Sequence, residues 1–445
     1  MNARRLLIGV VVTVVLSTIL TVTWMTLGPL RSSAPSPHAS AQAAPAITTG
    51  VPGAAGPEWS TAWAAAPSSA NYQRPLGHTV RNVVHTTVGG PQVRIRLSNR
   101  FGVAPVRFGH VTVAISAHSG GRRDGANNPS DGTAVRGTLH DVTFGGRGEV
   151  TVPVGGDVLS DAAPLAVPAD ADVLVSVWTP VKPAASTYHA EAKQLSFVSP
   201  GAADHAGDLA ATAFTKGASA WFYVSALEVT GASGTIVALG DSITNGAAST
   251  PGRNRRWPDL LAARLASAGA PAYGVANAGL AGNRILLDGQ YPRYQITSTA
   301  GRSAQARFAE DVLERPGART LIIFAGINDI IQQPRQTDFT QITAGLANLS
   351  ARARGQGLRV VVGTLTPWKG WTTYTPAQDQ VRLRVNEWIR TGGDGSFDAV
   401  ADFDQALRDP AQPLRLNPQF DGGDHLHPND AGMMALAAAV PLDKL

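Results

Sequence analysis

Two hydrophobic rhythms divide the chain. From Trp59 to about Thr230, apolar and polar residues alternate in short runs. In Val93-Arg94-Ile95-Arg96-Leu97 the apolar side chains fall on one face and the arginines on the other, the period of two expected of a half-buried strand. Val111-Thr112-Val113-Ala114-Ile115, Val150-Thr151-Val152-Pro153-Val154 and Val173-Leu174-Val175-Ser176-Val177 repeat it, separated by Gly-, Asp- and Asn-rich breaks such as Gly120 to Gly132. Strands without intervening helices predict an antiparallel, jelly-roll-like β-sandwich over residues 58–231.

After Gly234 the rhythm changes. Thr235–Leu239, Thr320–Phe324, Arg359–Val362 and Phe397–Phe403 are continuous apolar runs, the pattern of parallel strands buried on both faces. Between them Phe339, Ile342, Leu346 and Leu349 make one helical stripe, and Val381, Val385 and Ile389 another. Alternating strand and helix predict an α/β domain over residues 232–445, a parallel sheet covered by helices on both faces.

The first 57 residues belong to neither pattern. Arg4 and Arg5 precede an uncharged, mostly apolar run from Leu6 to Leu30, closed by Arg31 and followed by small residues around Ala39-Ser40-Ala41. That order predicts a signal peptide or signal anchor over residues 1–30, with the arginines cytoplasmic and the body outside. Membrane contact is expected only through this segment, if it is not cleaved. Residues 31–57, rich in Ala, Pro, Ser and Gly, read as a linker.

Composition narrows the chemistry. Of 445 residues, 44% are hydrophobic and 16% charged, as in an ordinary globular protein, and there is no cysteine, so disulfides and a cysteine nucleophile are excluded. The net charge of +5 is spread over scattered arginines without interleaved aromatics, which gives no nucleic-acid signature.

Sites in open α/β sheets form at the carboxyl ends of strands. There stand Gly240-Asp241-Ser242, Asn277-Ala278-Gly279-Leu280-Ala281-Gly282-Asn283 and Gly326-Ile327-Asn328-Asp329, and near the C-terminus Asp421-Gly422-Gly423-Asp424-His425-Leu426-His427-Pro428. Singly, each has an ordinary explanation: Asp and Ser cap helices, Asn-Asp makes turns, and His-x-His with carboxylates suits a metal. Together they suit acyl transfer. A serine needs a base to take its proton, and the base needs a third group to orient it. Only two histidines, His425 and His427, follow Gly234. Asp424, three residues before His427, can turn to its side, whereas adjacent side chains diverge, so His427 is the expected base. The backbone N–H groups of Gly282 and Ser242 and the amide of Asn328 are the expected oxyanion donors.

These ordered Ser, Gly, Asn and Asp-x-x-His blocks resemble the GDSL/SGNH hydrolases over residues 234–445. The resemblance implies a flavodoxin-like three-layer α/β/α fold and ester hydrolysis through an acyl-serine, without a cofactor or metal. The β-rich half is similar to a branch of carbohydrate esterases and acylhydrolases, with Arg96-Leu97-Ser98-Asn99 and Arg255-Arg256-Trp257-Pro258 as its softer marks. The expected substrate is a small ester or acylated polysaccharide, with acetyl groups the first choice and longer acyl esters the second. Glycan or cell-wall contact through the sandwich, with an inert hydrolase fold, is the reading from a different class. Trp257, Tyr291 and Trp368 are the substrate-contact candidates, with Trp371 and Tyr374 beside them, although each also suits packing.

Overall fold

A computed structural model of the protein describes residues 58–71, 78–118, 130–289 and 300–445. The expected leader and linker, and Tyr291, lie outside the described residues. Among the described residues no helix is long and apolar enough to cross a membrane.

The first half is built on two large antiparallel sheets, accompanied by a three-stranded sheet of Ala220–Phe222, Ser186–Ala190 and Ser69–Asn71 and by the strand pair Val106–Phe108 and Val150–Val152. Four strands, Trp59–Ala64, Val224–Thr230, Val93–Ser98 and Asp157–Leu159, lie side by side in that order. A six-stranded sheet runs Lys216–Ala218, Ser196–Ser199, Thr79–Thr86, Ala171–Trp178, His110–Ile115 and His140–Asp141. Ile95, Leu97 and Leu227 from the first sheet share one core with Val84, Val113 and Val175 from the second, which makes the pair a β-sandwich.

The alternation predicts one wet face per strand, and here the structure differs. Thr79–Thr86 is buried at every position. Its outward Val83 joins Ala114, Leu174 and the sheet's own Phe197 under Leu139 and Leu209, so connecting segments cover the outer face of that sheet. The outer face of the four-stranded sheet is covered by the second half of the chain: Ala64 and Ala226 belong to the same core as Val237, Ala276 and Ile323. The outward arginines are only partly exposed and are paired. Arg94 and Arg96 lie 2.5 and 3.4 Å from Glu228, whose carboxylate is fully buried.

The chain leaves the sandwich at Thr230 and enters a five-stranded parallel sheet at Gly234. Its spatial order is Tyr273–Gly279, Gly234–Gly240, Ala318–Phe324, Arg359–Gly363, Ala399–Ala401. This is the doubly wound order 2-1-3-4-5 of flavodoxin-like folds, whose connections diverge between the first and third strands. Successive side chains of each strand point to opposite faces. Ile236, Ala238, Ile322 and Val361 meet helices Trp257–Ser267 and Asp430–Ala439. Val237, Leu239, Leu321 and Val360 meet Phe339–Arg354 and Pro376–Arg390, the two helices whose stripes are legible in the sequence. Asp338 and Thr375 cap these two by accepting from the N–H of Thr340 and Gln378. The run Phe397–Phe403 is shorter as a strand than its hydrophobicity suggests, because Asp402 caps a new helix at Phe403–Leu407.

Residues Ala55–Leu445 make a single compact unit. Strand Trp59–Ala64 runs against the parallel sheet: the Thr61 N–H donates to Thr235 Oγ1 at 2.8 Å, and the Val275 N–H to Thr87 Oγ1 at 2.8 Å. A Cβ at Gly274 would lie 2.1 Å from the Thr61 carbonyl oxygen, so only glycine permits this approach.

Candidate active site

The diverging connections put the end of strand Gly234–Gly240 beside the end of Ala318–Phe324. Gly240 turns the chain there: a Cβ would sit 2.1 Å from Thr244 Oγ1 and 2.6 Å from the Phe324 carbonyl oxygen. Asp241 follows as N-cap and accepts from the Ile243 N–H at 3.0 Å. Ser242 opens a one-turn helix, Ser242–Asn245, which ends at Gly246 with φ of 98°. One turn thus caps the helix and sets Ser242 at its start.

Ser242 Oγ lies 2.8 Å from His427 Nε2, and His427 Nδ1 lies 2.6 Å from Asp424 Oδ2. The other Asp424 oxygen accepts the N–H groups of Leu426 and His427 at 3.0 and 2.8 Å. Partial burial works to raise the Asp424 pKa, but the His427 ring and these two N–H groups outweigh it and hold the carboxylate below its ordinary range. His425, left-handed with φ of 69°, turns away from Ser242 and pairs with Asp421 at 2.6 Å. Asp421 and Asp424 therefore serve different histidines. Among the described residues no group of three or more His, Asp or Glu side chains gathers to hold a metal.

On the opposite side, the Asn283 N–H donates to the Leu280 carbonyl at 3.0 Å, closing a turn with Gly282 in its third position at φ of 78°. Asn328 stands in the short helix Ile327–Ile331, just after strand Ala318–Phe324. It is 5% exposed, and its Nδ2 has no hydrogen-bond partner among the described residues. Its Oδ1 accepts from Gln332 Nε2 at 2.8 Å, and the same Gln332 nitrogen donates to the Gly282 carbonyl at 3.0 Å. Gln332 thus ties together the two segments that carry the candidate donors and leaves the Asn328 N–H groups free. Sequence reasoning missed it; its signal is the four-residue spacing from Asn328, which puts both on one helical face.

Arg307 was missed as well. It is 3% exposed and donates to the carbonyls of Gly240 at 3.1 Å and Ala278 at 2.8 Å, and to Asn283 Oδ1 at 2.8 Å. One guanidinium therefore ties the Ser242 turn to the Gly282 turn. Behind it, Asp311 lies 3.1 Å from Arg307 and 3.6 Å from Arg100 of the sandwich. Asp329 braces the same region by accepting from the N–H groups of Ile285 and Leu286 at 2.8 and 3.0 Å. Burial, with Asp329 nearby, pushes the Asp241 pKa up to about 7, against the Ile243 N–H and the Arg307 charge.

Two of the aromatic candidates are corrected. Trp257 has no exposed surface; its Nε1 donates to Thr244 Oγ1 at 3.3 Å and its ring packs 5.8 Å from Phe403, beneath the nucleophile helix. Trp368 is also fully buried, edge-on to Tyr374 at 5.1 Å. Neither can stack on a substrate. Trp371 is partly exposed and stands edge-on to His427, with ring centroids 5.9 Å apart.

Residues 238–435 match the model of the GDSL-like lipase/acylhydrolase family. No curated protein matches the chain in sequence. Among solved structures, the chain is similar to a GDSL-like lipase from Bacteroides thetaiotaomicron, with 18% identity over 46% of this chain and 85% of that one and a TM-score of 0.35. It is also similar to an acetyl xylan esterase from Geobacillus stearothermophilus, with 20% identity over 47% of this chain and 93% of that one and a TM-score of 0.35.

Proposed function

We propose that this chain, a carboxylic-ester hydrolase through its GDSL-like domain at residues 238–435, removes small O-acyl groups from carbohydrate by way of an acyl-serine. The observation that carries the chemistry is the unbroken line Ser242 Oγ, His427, Asp424, with contacts of 2.8 and 2.6 Å. His427 takes the hydroxyl proton as Ser242 Oγ attacks the ester carbonyl carbon. Asp424 keeps the Nδ1 proton in place and offsets the charge of the imidazolium. The Ser242 and Gly282 N–H groups and the free Asn328 amide stabilise the oxyanion. The imidazolium then gives its proton to the leaving alkoxide, which departs as an alcohol. Water attacks the acyl carbon, His427 takes one of its protons, and the acid is released as that proton returns to Ser242.

Two features support a carbohydrate ester outside the cytoplasm. The partly exposed indole of Trp371 beside His427 offers a face for a sugar ring. The basic start and apolar run before Arg31 have the order of an export signal. The test is a hydrolysis panel of acetylated xylan and pectin fragments against short and long p-nitrophenyl esters, with wild type and Ser242→Ala. Release of acetate from the glycans by wild type alone is expected. Turnover confined to long-chain esters would make the enzyme a lipase-like acylhydrolase instead. Persistent turnover by Ser242→Ala would remove the acyl-serine.

A further inference from the structure

The helix that carries Ser242 is one turn long, too short to hold its shape without outside contacts. From its own domain it receives the Asn277 amide, which donates to the Thr244 carbonyl at 2.7 Å. Gly279 lies so close that a Cβ there would be 2.4 Å from the Asn245 nitrogen. Trp257 donates to Thr244 Oγ1 at 3.3 Å from beneath, and further support comes from the sandwich.

His189, on strand Ser186–Ala190, is 3% exposed. Its Nδ1 lies 2.7 Å from the Ala66 carbonyl oxygen and its Nε2 lies 2.8 Å from the side chain of Asn245, the last residue of the nucleophile helix. A carbonyl only accepts, so Nδ1 carries a proton and Nε2 is the atom that meets Asn245. The Asn245 side chain turns its Oδ1 to Nε2 and its Nδ2 to the Glu191 carbonyl, so both ends of the amide are held by this strand and its continuation. Packing fixes the ring: it lies 5.3 Å from Trp221, which is edge-on to Trp63 at 4.9 Å.

The three residues after this strand, Glu191, Ala192 and Lys193, all turn their carbonyls to the catalytic half. Glu191 accepts from Asn245 Nδ2 at 3.2 Å, Ala192 from the Arg256 guanidinium, and Lys193 from the Gly252 N–H at 2.8 Å. Glu191 and Lys193 adopt φ of 56° and 51°, a left-handed conformation costly for residues with a Cβ. The segment Glu191–Lys193 is thus held in an unfavourable shape that delivers three acceptors to the stretch just after the nucleophile.

We propose that His189 is a positioning residue for Ser242. Through Asn245 the sandwich sets the seat of the nucleophile helix, which makes it part of the catalytic apparatus. The inference rests on the serine-esterase reading above.

The test separates the two nitrogens. His189→Asn keeps an amide near the Nδ1 position but leaves nothing to meet Asn245, whereas His189→Gln places an amide near the Nε2 position. For p-nitrophenyl acetate, His189→Asn should lower kcat and the rate of fluorophosphonate labelling by about tenfold or more, as expected of a misplaced nucleophile. KM should stay within about twofold, because no substrate contact is removed. His189→Gln should recover most of kcat at a melting temperature close to that of His189→Asn. Adding His189→Asn to Asn245→Ala should cost little further, since both break one contact. Equal activity in the Asn and Gln variants, or losses that simply follow melting temperature, would overturn the proposal. A wild type that neither turns over ester nor labels would instead overturn the esterase reading on which it stands.

Discussion

Gln332 decides which way the Asn328 amide points. Because its Nε2 donates to Asn328 Oδ1, the Asn328 nitrogen is left as the open donor. Asn328→Ala should therefore lower kcat by about 10²–10³. Gln332→Leu, which leaves the donor present but unaimed, should cost about tenfold in kcat with KM nearly unchanged, as for a loss confined to the transition state. Steady-state kinetics on one soluble ester checks both, and an unchanged Gln332→Leu would show that Asn328 is oriented by other means. Asp241 carries a second consequence at this scale. Its pKa is raised to about 7 by burial, so the folded state prefers the protonated form and loses stability as pH rises from the ordinary carboxylate range through about 7. Asp241→Asn keeps a capping oxygen without the charge. Thermal melts between about pH 5 and pH 8 should show wild type losing more stability than the variant; parallel curves would refute a buried titration at Asp241.

Strand ends, not strand interiors, make this site, and Arg307 binds the ends together. It joins the carbonyls of Gly240 and Ala278 to the Asn283 side chain and is balanced by Asp311. Arg307→Met would leave those acceptors and part of the Asp311 charge buried without a partner, at a cost of about 3 kcal/mol. Urea unfolding measures this directly, and a change near zero would mean that water replaces the guanidinium. These elements also show what a single sequence reveals. The apolar runs Thr235–Leu239 and Thr320–Phe324 and the stripes through Leu346 and Val385 are legible because burial on a sheet or one helix face imposes a period. Strand Tyr273–Gly279 has no such run: its Gly274 and Gly279 are glycine because the Thr61 carbonyl and the Ser242 helix press against them. Ser242, Asp424 and His427, which the structure brings into line, are legible because few residue types can activate a hydroxyl in this way. Arg307 and Gln332 act on backbone and amide groups that any sequence contains, so no motif marks them. Trp257 was misjudged for a related reason: adjacency to the site in sequence does not tell a rim residue from one packed beneath the nucleophile.

Across the whole molecule, the two halves are joined by buried charge as well as by small apolar residues. His85 of the sandwich lies 2.9 Å from Asp172 and 3.3 Å from Asp170, facing Asp259 on the first turn of helix Trp257–Ser267. Asn254, next to that helix, donates to Asp172 at 3.0 Å. Burial alone would lower the His85 pKa, but Asp170 and Asp172, with the charge of Asp259, overcome it and raise the value to about 10. The sign of the stability effect follows. The folded state holds this proton more tightly than the unfolded chain does, so the contribution is complete below the ordinary histidine range. It is lost as pH climbs from there through about 10. Wild type should therefore melt progressively lower between about pH 7 and pH 10, whereas His85→Gln, already without the charge, should start lower and change less over the same range. Because the cluster joins the sandwich to the helix just beyond the nucleophile segment, fluorophosphonate labelling of Ser242 should decline along with the melting temperature in wild type. Identical pH slopes in the two proteins would mean that His85 is not charged in the fold.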